Sequence, residues 1–342
     1  MTSGSDQPAS EARDEAGAMV AKISTSNLAL VLREALGSNS GPCFLVSPFV
    51  TAEGLNAIVP SDGAQTLLLT SWRADHLRAG IADLSLYPYC KDHGISLHVL
   101  DTLHAKFYSR GLQSAWLGSA NLTSTALGLS SAPNDEILAL LDPVPASVRV
   151  WLHGLLGKAT LVTDNVYEWY RAWVREFTDV GRPPKRERPP MALLDPYLLS
   201  RLPATISTHR LMALMLDPEN CDDDDEMHAL EHDLGLFGLV PCESLDELHA
   251  QLRPKFAANP FAAKLERDLP PDGMRFGQVK QWLQDTCTDV PVPYRRDLTW
   301  RVRTIYNWLT ELWPDRYLVH VPGAHSEVLV RRRLSGGQVS HG

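Results

Sequence analysis

The stretch from Leu103 to Gly128 reads LHAKFYSRGLQSAWLGSANLTSTALG, and its reading decides the fold. His104 stands two residues before Lys106, and twelve residues after Lys106 the chain reads Gly118-Ser119-Ala120-Asn121. Upstream, Ile95, Leu97 and Val99 alternate with polar residues, the pattern of a strand. If that pattern continues past Thr102, His104, Lys106 and Tyr108 face one side and Leu103, Ala105 and Phe107 the other. Ser119 and Asn121 repeat the arrangement beside a second apolar run. Four polar groups then line one face at a sheet edge.

Those four residue types suit chemistry on phosphate. A neutral imidazole can attack phosphorus and form a phosphohistidine, which splits one hard displacement into two easier ones. A lysine is a point charge for phosphate oxygens. A serine hydroxyl and an asparagine amide are donors where negative charge grows in the transition state. The arrangement needs no metal and no cofactor.

With these residues the sequence resembles the phospholipase D superfamily, whose motif is H-x-K-x4-D-x6-G-[SG]-x-N. The spacing from lysine to glycine is the same here, and the family aspartate falls on Gly111. Asn134-Asp135-Glu136 opens the apolar run from Ile137 to Leu141. The resemblance implies that Glu136 bonds His104 through its other ring nitrogen and orients it. It also implies a mixed sheet flanked by helices. Relatives with one H-x-K motif take the second from a dimer partner, and no second copy occurs here. The chemistry points the same way, because in-line displacement needs an acid opposite the nucleophile.

The chain has 342 residues, enough for two domains, and 44% of them are hydrophobic. Its net charge of −9 argues against a protein that coats polyanions generally. Local basic patches remain: Arg182, Lys185, Arg186 and Arg188; Arg295, Arg296, Arg301 and Arg303; and Arg331 to Arg333. The five cysteines are scattered, without a C-x2-C pair, and read as reduced thiols of a cytoplasmic protein. Residues 1–18 are small, polar and acidic, and 1–23 are expected to be a disordered lead-in with no apolar core of a signal peptide.

Residues 24–145 read as an α/β domain carrying the motif. Helix is expected from Asn27 to Leu36, with Ser26 as cap and Gly37 as stop, and from Thr51 to Val59. Strands are expected at Cys43–Val46, Gln65–Thr70, Ile95–Leu100, Leu103–Tyr108, Ala115–Leu117 and Glu136–Leu141, with helices at Asp83–His93 and Leu122–Leu127. Residues 146–180 read as two connecting helices. Residues 181–190, with four prolines and four basic residues, form a stiff linker. Residues 191–333 read as a mainly helical domain, and 334–342 as a disordered tail.

Within that last domain, helices at Met274–Cys287 and Asp297–Trp313 precede strand-like Tyr317–Val321 and Glu327–Val330. Helix, turn, helix and hairpin over 274–332 is the order of a winged helix; the other reading is a helical accessory or dimerisation domain. On the winged-helix reading Arg301, Thr304 and Trp308 share the outer face of the second helix. Arg295, Arg296, Arg301, Arg303 and Thr304 are then the candidate nucleic-acid contacts. A rival motif, His228-Ala229-Leu230-Glu231-His232, matches H-x-x-E-H, a zinc-protease pattern, but Asp233-Leu234-Gly235 is expected to end its helix at once. A polar helix face is the better reading of it.

The expected protein is therefore a cytoplasmic, metal-independent phosphodiesterase, a homodimeric DNA endonuclease in layout. Its candidate site is His104, Lys106, Ser119, Asn121 and Glu136. The alternative is a non-catalytic nucleic-acid-binding component of a defence or repair complex, for which Gly111 in place of aspartate is the support. An RNA or phospholipid phosphodiesterase is third. No membrane partner is expected.

Overall fold

The structure, a computed structural model, describes residues 22–60, 65–180, 189–190, 197–289, 293–322 and 326–332, with 177–180 as backbone only. The proline-basic linker falls almost wholly outside the described residues. In chain order the first elements are β1 (Ile23–Ser24), α1 (Leu28–Ser38), β2 (Cys43–Val46), α2 (Ala52–Ile58), β3 (Thr66–Thr70), α3 (Ala74–Arg78), α4 (Leu86–Asp92) and β4 (Ile95–Val99). Then come β5 (Phe107–Arg110), β6 (Ala115–Gly118), β7 (Leu138–Leu141), α5 (Ala146–Lys158), β8 (Thr160–Leu161) and α6 (Asp164–Val180).

The eight strands form one mixed sheet in the order β1-β7-β6-β5-β2-β3-β4-β8. β2, β3 and β4 run parallel, and the remaining pairs are antiparallel. The parallel strands are apolar on both faces, as CFLV and TLLLT dictate, because helices cover both sides. Cys43, Leu45, Leu68, Leu97 and Tyr108 pack on one side with Leu32 of α1, Leu55 of α2 and Val166 and Tyr170 of α6. Val46, Leu69 and Phe107 alternate to the other side, against Leu152 of α5.

Several local expectations shift. Strand β5 begins only at Phe107, so 103–106 is a loop segment and not part of a strand. Residues 122–127 form turns instead of a helix. Helix α1 starts after Asn27, not Ser26, and runs through Gly37 to Ser38. Thr51 does cap α2, its hydroxyl accepting from the Gly54 N–H at 3.1 Å.

The C-terminal region continues with α7 (Thr208–Leu216), α8 (Asp224–Phe237), α9 (Leu245–Ala257), α10 (Pro260–Asp268), β9 (Met274–Arg275), α11 (Phe276–Thr286), α12 (Leu298–Leu312), β10 (Tyr317–His320) and β11 (Val328–Arg331). The last six elements follow the order helix, strand, helix, helix, hairpin, and their strands form a sheet β10-β11-β9. The two helices and the hairpin expected over 274–332 are present, with β9 opening the segment. The core of the C-terminal region includes Phe256, Phe261, Val279, Leu283, Val302, Ile305 and Leu309.

Helix α8 does not stop at Gly235; it reaches Phe237 and ends on Gly238 at φ 53°. Gly235 lies inside it because α5 passes too close for a side chain. A Cβ there would sit 2.2 Å from the Val150 carbonyl oxygen. Arg149 of α5 locks the crossing with two bonds to Glu231 of α8, Nε–Oε2 at 2.6 Å and Nη2–Oε1 at 2.7 Å.

Candidate active site

Strands β2, β3, β4 and β6 all end on the same side of the sheet, and β5 begins there. Open α/β sheets bind ligands at the carboxyl ends of their strands. The chain leaves β4 at that end, turns with a Leu103 N–H to Leu100 carbonyl bond of 3.0 Å, and crosses the ends of β3 and β2 to enter β5. His104 and Lys106 lie on this crossing. The pairing Phe107↔Leu117 sets the crossing beside the segment that leaves β6, which carries Ser119 and Asn121. The two halves of the motif are thus brought to one end of the sheet by register, although 104–106 is not strand.

His104 is exposed, and among the described residues no hydrogen bond engages its ring. The Lys106 ammonium donates to the His104 carbonyl at 3.2 Å, which holds the cation beside the imidazole backbone. Asn121 Oδ1 lies 3.2 Å from the hydroxyl of fully buried Ser47, whose one proton has a nearer acceptor in the Phe49 carbonyl at 2.8 Å. The same hydroxyl accepts the Leu122 N–H at 3.1 Å. Tyr108 donates to the Ala120 carbonyl at 2.7 Å, and burial pushes its phenol pKa upward, so it stays a neutral donor. Ser47 and Tyr108 therefore shape the 119–121 segment. Sequence reading misses Ser47; its one signal is a small polar residue directly after the buried run of β2.

Glu136 departs from expectation. Its carboxylate accepts from the Ser119 hydroxyl and from Asn134 Nδ2, the latter at 3.1 Å, and does not bond His104. Ser119 also accepts the Ile137 N–H at 3.0 Å and gives its own N–H to the Ile137 carbonyl at 3.0 Å. A hydroxyl carries one proton, and this one goes to Glu136. Ser119 in this structure is the link between Glu136 and the site, not a free phosphate donor. The groups left open are the His104 ring and the Asn121 amide.

Gly111, the position of the family aspartate, lies at the other end of β5, about 13 Å along the strand from Phe107. It starts the β5–β6 turn at φ 76°, and a Cβ would meet the Ser40 carbonyl oxygen at 2.4 Å. The turn requires glycine there. Its substitution for aspartate reflects backbone geometry remote from His104.

The rival H-x-x-E-H group is occupied within the fold. Both oxygens of Glu231 hold Arg149, while His232 bonds Asp233 Oδ1 at 2.8 Å and the Ser200 carbonyl at 2.7 Å.

The proposed outer face of α12 is corrected. Thr304 is 1% exposed and Trp308 0%, with Trp308 stacked 5.5 Å from Phe237 and donating to the Thr205 carbonyl at 2.8 Å. Arg301 is half-buried, donates to the Pro203 carbonyl at 3.1 Å, and has its pKa lowered by burial, with Asp233 and Asp289 opposing. Arg295, Arg296 and Arg303 are exposed, beside Tyr294 (70% exposed) and Trp300 (43%).

No protein-family model matches the chain, and no curated protein matches it. Among solved structures it is similar to Nuc, a phospholipase D family member from Salmonella typhimurium, at 16% identity and TM-score 0.35, covering 42% of this chain and 99% of that one. It is similar to NucT from Helicobacter pylori at 16% identity and TM-score 0.31, covering 41% and 97%. It also resembles TrmBL2, an archaeal chromatin protein with a novel mode of DNA binding, at 14% identity and TM-score 0.25, covering 50% and 56%. In the spacing of its motif residues the first part of the chain resembles the phospholipase D superfamily.

Proposed function

We propose that the chain is a metal-independent phosphodiesterase that cleaves DNA through a phosphohistidine on His104. The observation that carries this reading is the exposed, unbonded imidazole of His104 on the crossing that also holds Lys106, beside the Asn121 segment. Lys106 and the Asn121 amide neutralise and bond the phosphate oxygens. His104 attacks phosphorus, and the leaving oxygen takes a proton from an acid on the opposite side. One chain supplies one such imidazole, so the acid is His104 of a second copy. That copy's imidazole then activates the water that releases the phosphohistidine. Glu136 acts through Ser119, fixing the backbone on which Asn121 stands. DNA is preferred over lipid because exposed arginines flank two exposed aromatics, Tyr294 and Trp300, on the C-terminal unit.

The test is cleavage of plasmid, linear duplex and single-stranded DNA in EDTA, with wild-type and His104→Ala proteins. The wild type is expected to cut in EDTA, and the variant to lose at least about 10³-fold in rate. Strict dependence on added magnesium or zinc sinks the mechanism. The alternative, a nucleic-acid-binding component without catalysis, predicts binding but no cleavage in the same assay.

A further inference from the structure

Helix α12 turns one narrow stripe to solvent. Trp300 and Arg303 are exposed and Asn307 and Thr310 half-buried, at helical spacing over about 15 Å of axis. Val302, Thr304, Ile305 and Trp308 beside them are buried. The stripe does not stand proud of its surroundings. Arg303, Asn307 and Thr310 line a recess of about 400 Å³, walled by Ile206 and, on the hairpin side, by Val319 and Glu327. Trp300 carries the stripe on into a neighbouring cleft of about 620 Å³, which Ile206 also lines.

A helix that reads duplex DNA enters the major groove with its outer face, as a ridge. Helix α12 lies at the floor of a recess and has no such ridge to offer. An extended single strand, by contrast, can lie along that floor, and the side chains suit one. Trp300 is 43% exposed, with the Arg301 guanidinium 4.9 Å from its ring centroid. An aromatic face stacks an unpaired base, which a duplex keeps inside its own stack. Arg303 has no hydrogen bond or ion pair among the described residues, so its guanidinium is free for a backbone phosphate. From Met274 to Arg303 the chain carries six Lys or Arg against three Asp or Glu, in a protein of net charge −9. Glu327 is the opposing charge in the recess, and a carboxylate there accepts from the exocyclic amino groups of bases. Asp223, Asp225 and Glu226 line the cleft beyond Trp300 and repel phosphate, which confines the backbone of the strand to the Arg303 side.

We infer that the recess along α12 binds a single DNA strand, with a base stacked on Trp300, a phosphate on Arg303 and a base edge at Glu327. This rests on the proposed reading of the chain as one that acts on DNA, and it names the form of that DNA: a substrate with an unpaired stretch. The recess belongs to the C-terminal unit, and His104 to the first part of the chain. Gripping and cutting then engage different stretches of the substrate.

The experiment is fluorescence anisotropy with the full chain carrying His104→Ala, so that the probe is not consumed. The probes are a labelled single DNA strand and the duplex of the same length, at matched salt. The single strand is expected to bind at least about tenfold more tightly than the duplex. Adding Trp300→Ala should weaken the single strand at least about fivefold, and Trp300→Phe should retain most of the affinity. Arg303→Gln, at an exposed position, gives a second reading whatever Trp300→Ala does to the fold: the salt slope for the single strand should fall by about 0.7. A deoxycytidine strand should bind more tightly than a deoxythymidine strand, and Glu327→Gln should remove the difference. Single-strand binding that Trp300→Ala and Arg303→Gln leave untouched overturns the proposal. Duplex bound as tightly as the single strand also overturns it, while leaving the DNA reading in place. Failure to bind either form removes both.

Discussion

At the scale of single residues, Ser47 and Tyr108 lie beneath the segment that carries Ser119 and Asn121. His104, Lys106 and Asn121 can be named from spacing, because imidazole, ammonium and amide at fixed offsets have few other uses together. The partner of Glu136 cannot, because a carboxylate at a strand start bonds whichever donor the backbone turns towards it, here Ser119. Ser47 is invisible for a similar reason: a buried serine after an apolar run has no periodic signature. Gly111 is the clearest case of a residue whose meaning reverses once the backbone is known. By motif it stands where an aspartate is missing; by geometry it holds φ 76° against the Ser40 carbonyl. Gly111→Asp should therefore not improve cleavage. It should lower stability by at least about 2 kcal/mol, combining left-handed strain with a backbone clash. A urea melt and a cleavage assay on the same preparation decide this, and a variant as stable as wild type with higher activity would sink the geometric account.

At the scale of elements, strands with buried runs are legible to within a residue or two, while the segment around the motif is not. Alternation through 103–108 looks like a strand, but nothing pairs with 103–106, and an unpaired segment is a loop whatever its pattern. Helix α12 shows the opposite error. Its apolar stripe is plain in the sequence, but the polar hydroxyl and indole N–H of Thr304 and Trp308 suggest an outward face. In the fold α12 is packed on two sides, and both groups lie inside, with the Trp308 N–H bonded to Thr205. The nucleic-acid surface proposed for this unit thus contracts to the exposed arginines, where Arg296 lies over Tyr294 at 5.2 Å and Arg303 stands on the surface. Arg296→Ala with Arg303→Ala should weaken DNA binding at all sequences and reduce the salt slope by roughly one for each phosphate no longer neutralised. Arg301→Ala should instead lower the unfolding midpoint. Anisotropy titrations over a range of salt separate the two, and an unchanged slope in the double variant would return the unit to an accessory role.

At the scale of the whole molecule, two consequences follow from how the C-terminal region sits. It docks at the end of the sheet that carries Pro42, Gly111 and Leu112, opposite His104. The junction buries His98 and His153, each held near pKa 3, His153 by burial and by the His232, His228 and Arg149 charges around it. In the unfolded chain both take protons below about 6.5, and in the folded chain neither does until about pH 3. Stability from them is present above pH 6.5 and is lost as pH falls towards 3, at up to about 1.4 kcal/mol per pH unit for His98. The denaturation midpoint should drop from pH 7 to pH 5, and less steeply in His98→Gln; equal slopes would contradict it. The second consequence is that the His104 end of the sheet stays open. Exposed Leu117 and Ile137 flank Ser119 and Glu136 there, apolar surface beside polar groups. A second copy related by a two-fold axis would cover that surface and bring a second His104 opposite the first, as displacement with a separate acid requires. Mixing wild-type chains with His104→Ala chains tests this. With a threefold excess of variant and free exchange, random pairing leaves each wild-type chain about a quarter as active as when unmixed, because an isologous site needs both imidazoles. Leu117→Asp should give monomers without activity. Activity strictly proportional to wild-type chains, from a protein that sediments as a monomer, would place the acid within a single chain and end the shared-site mechanism.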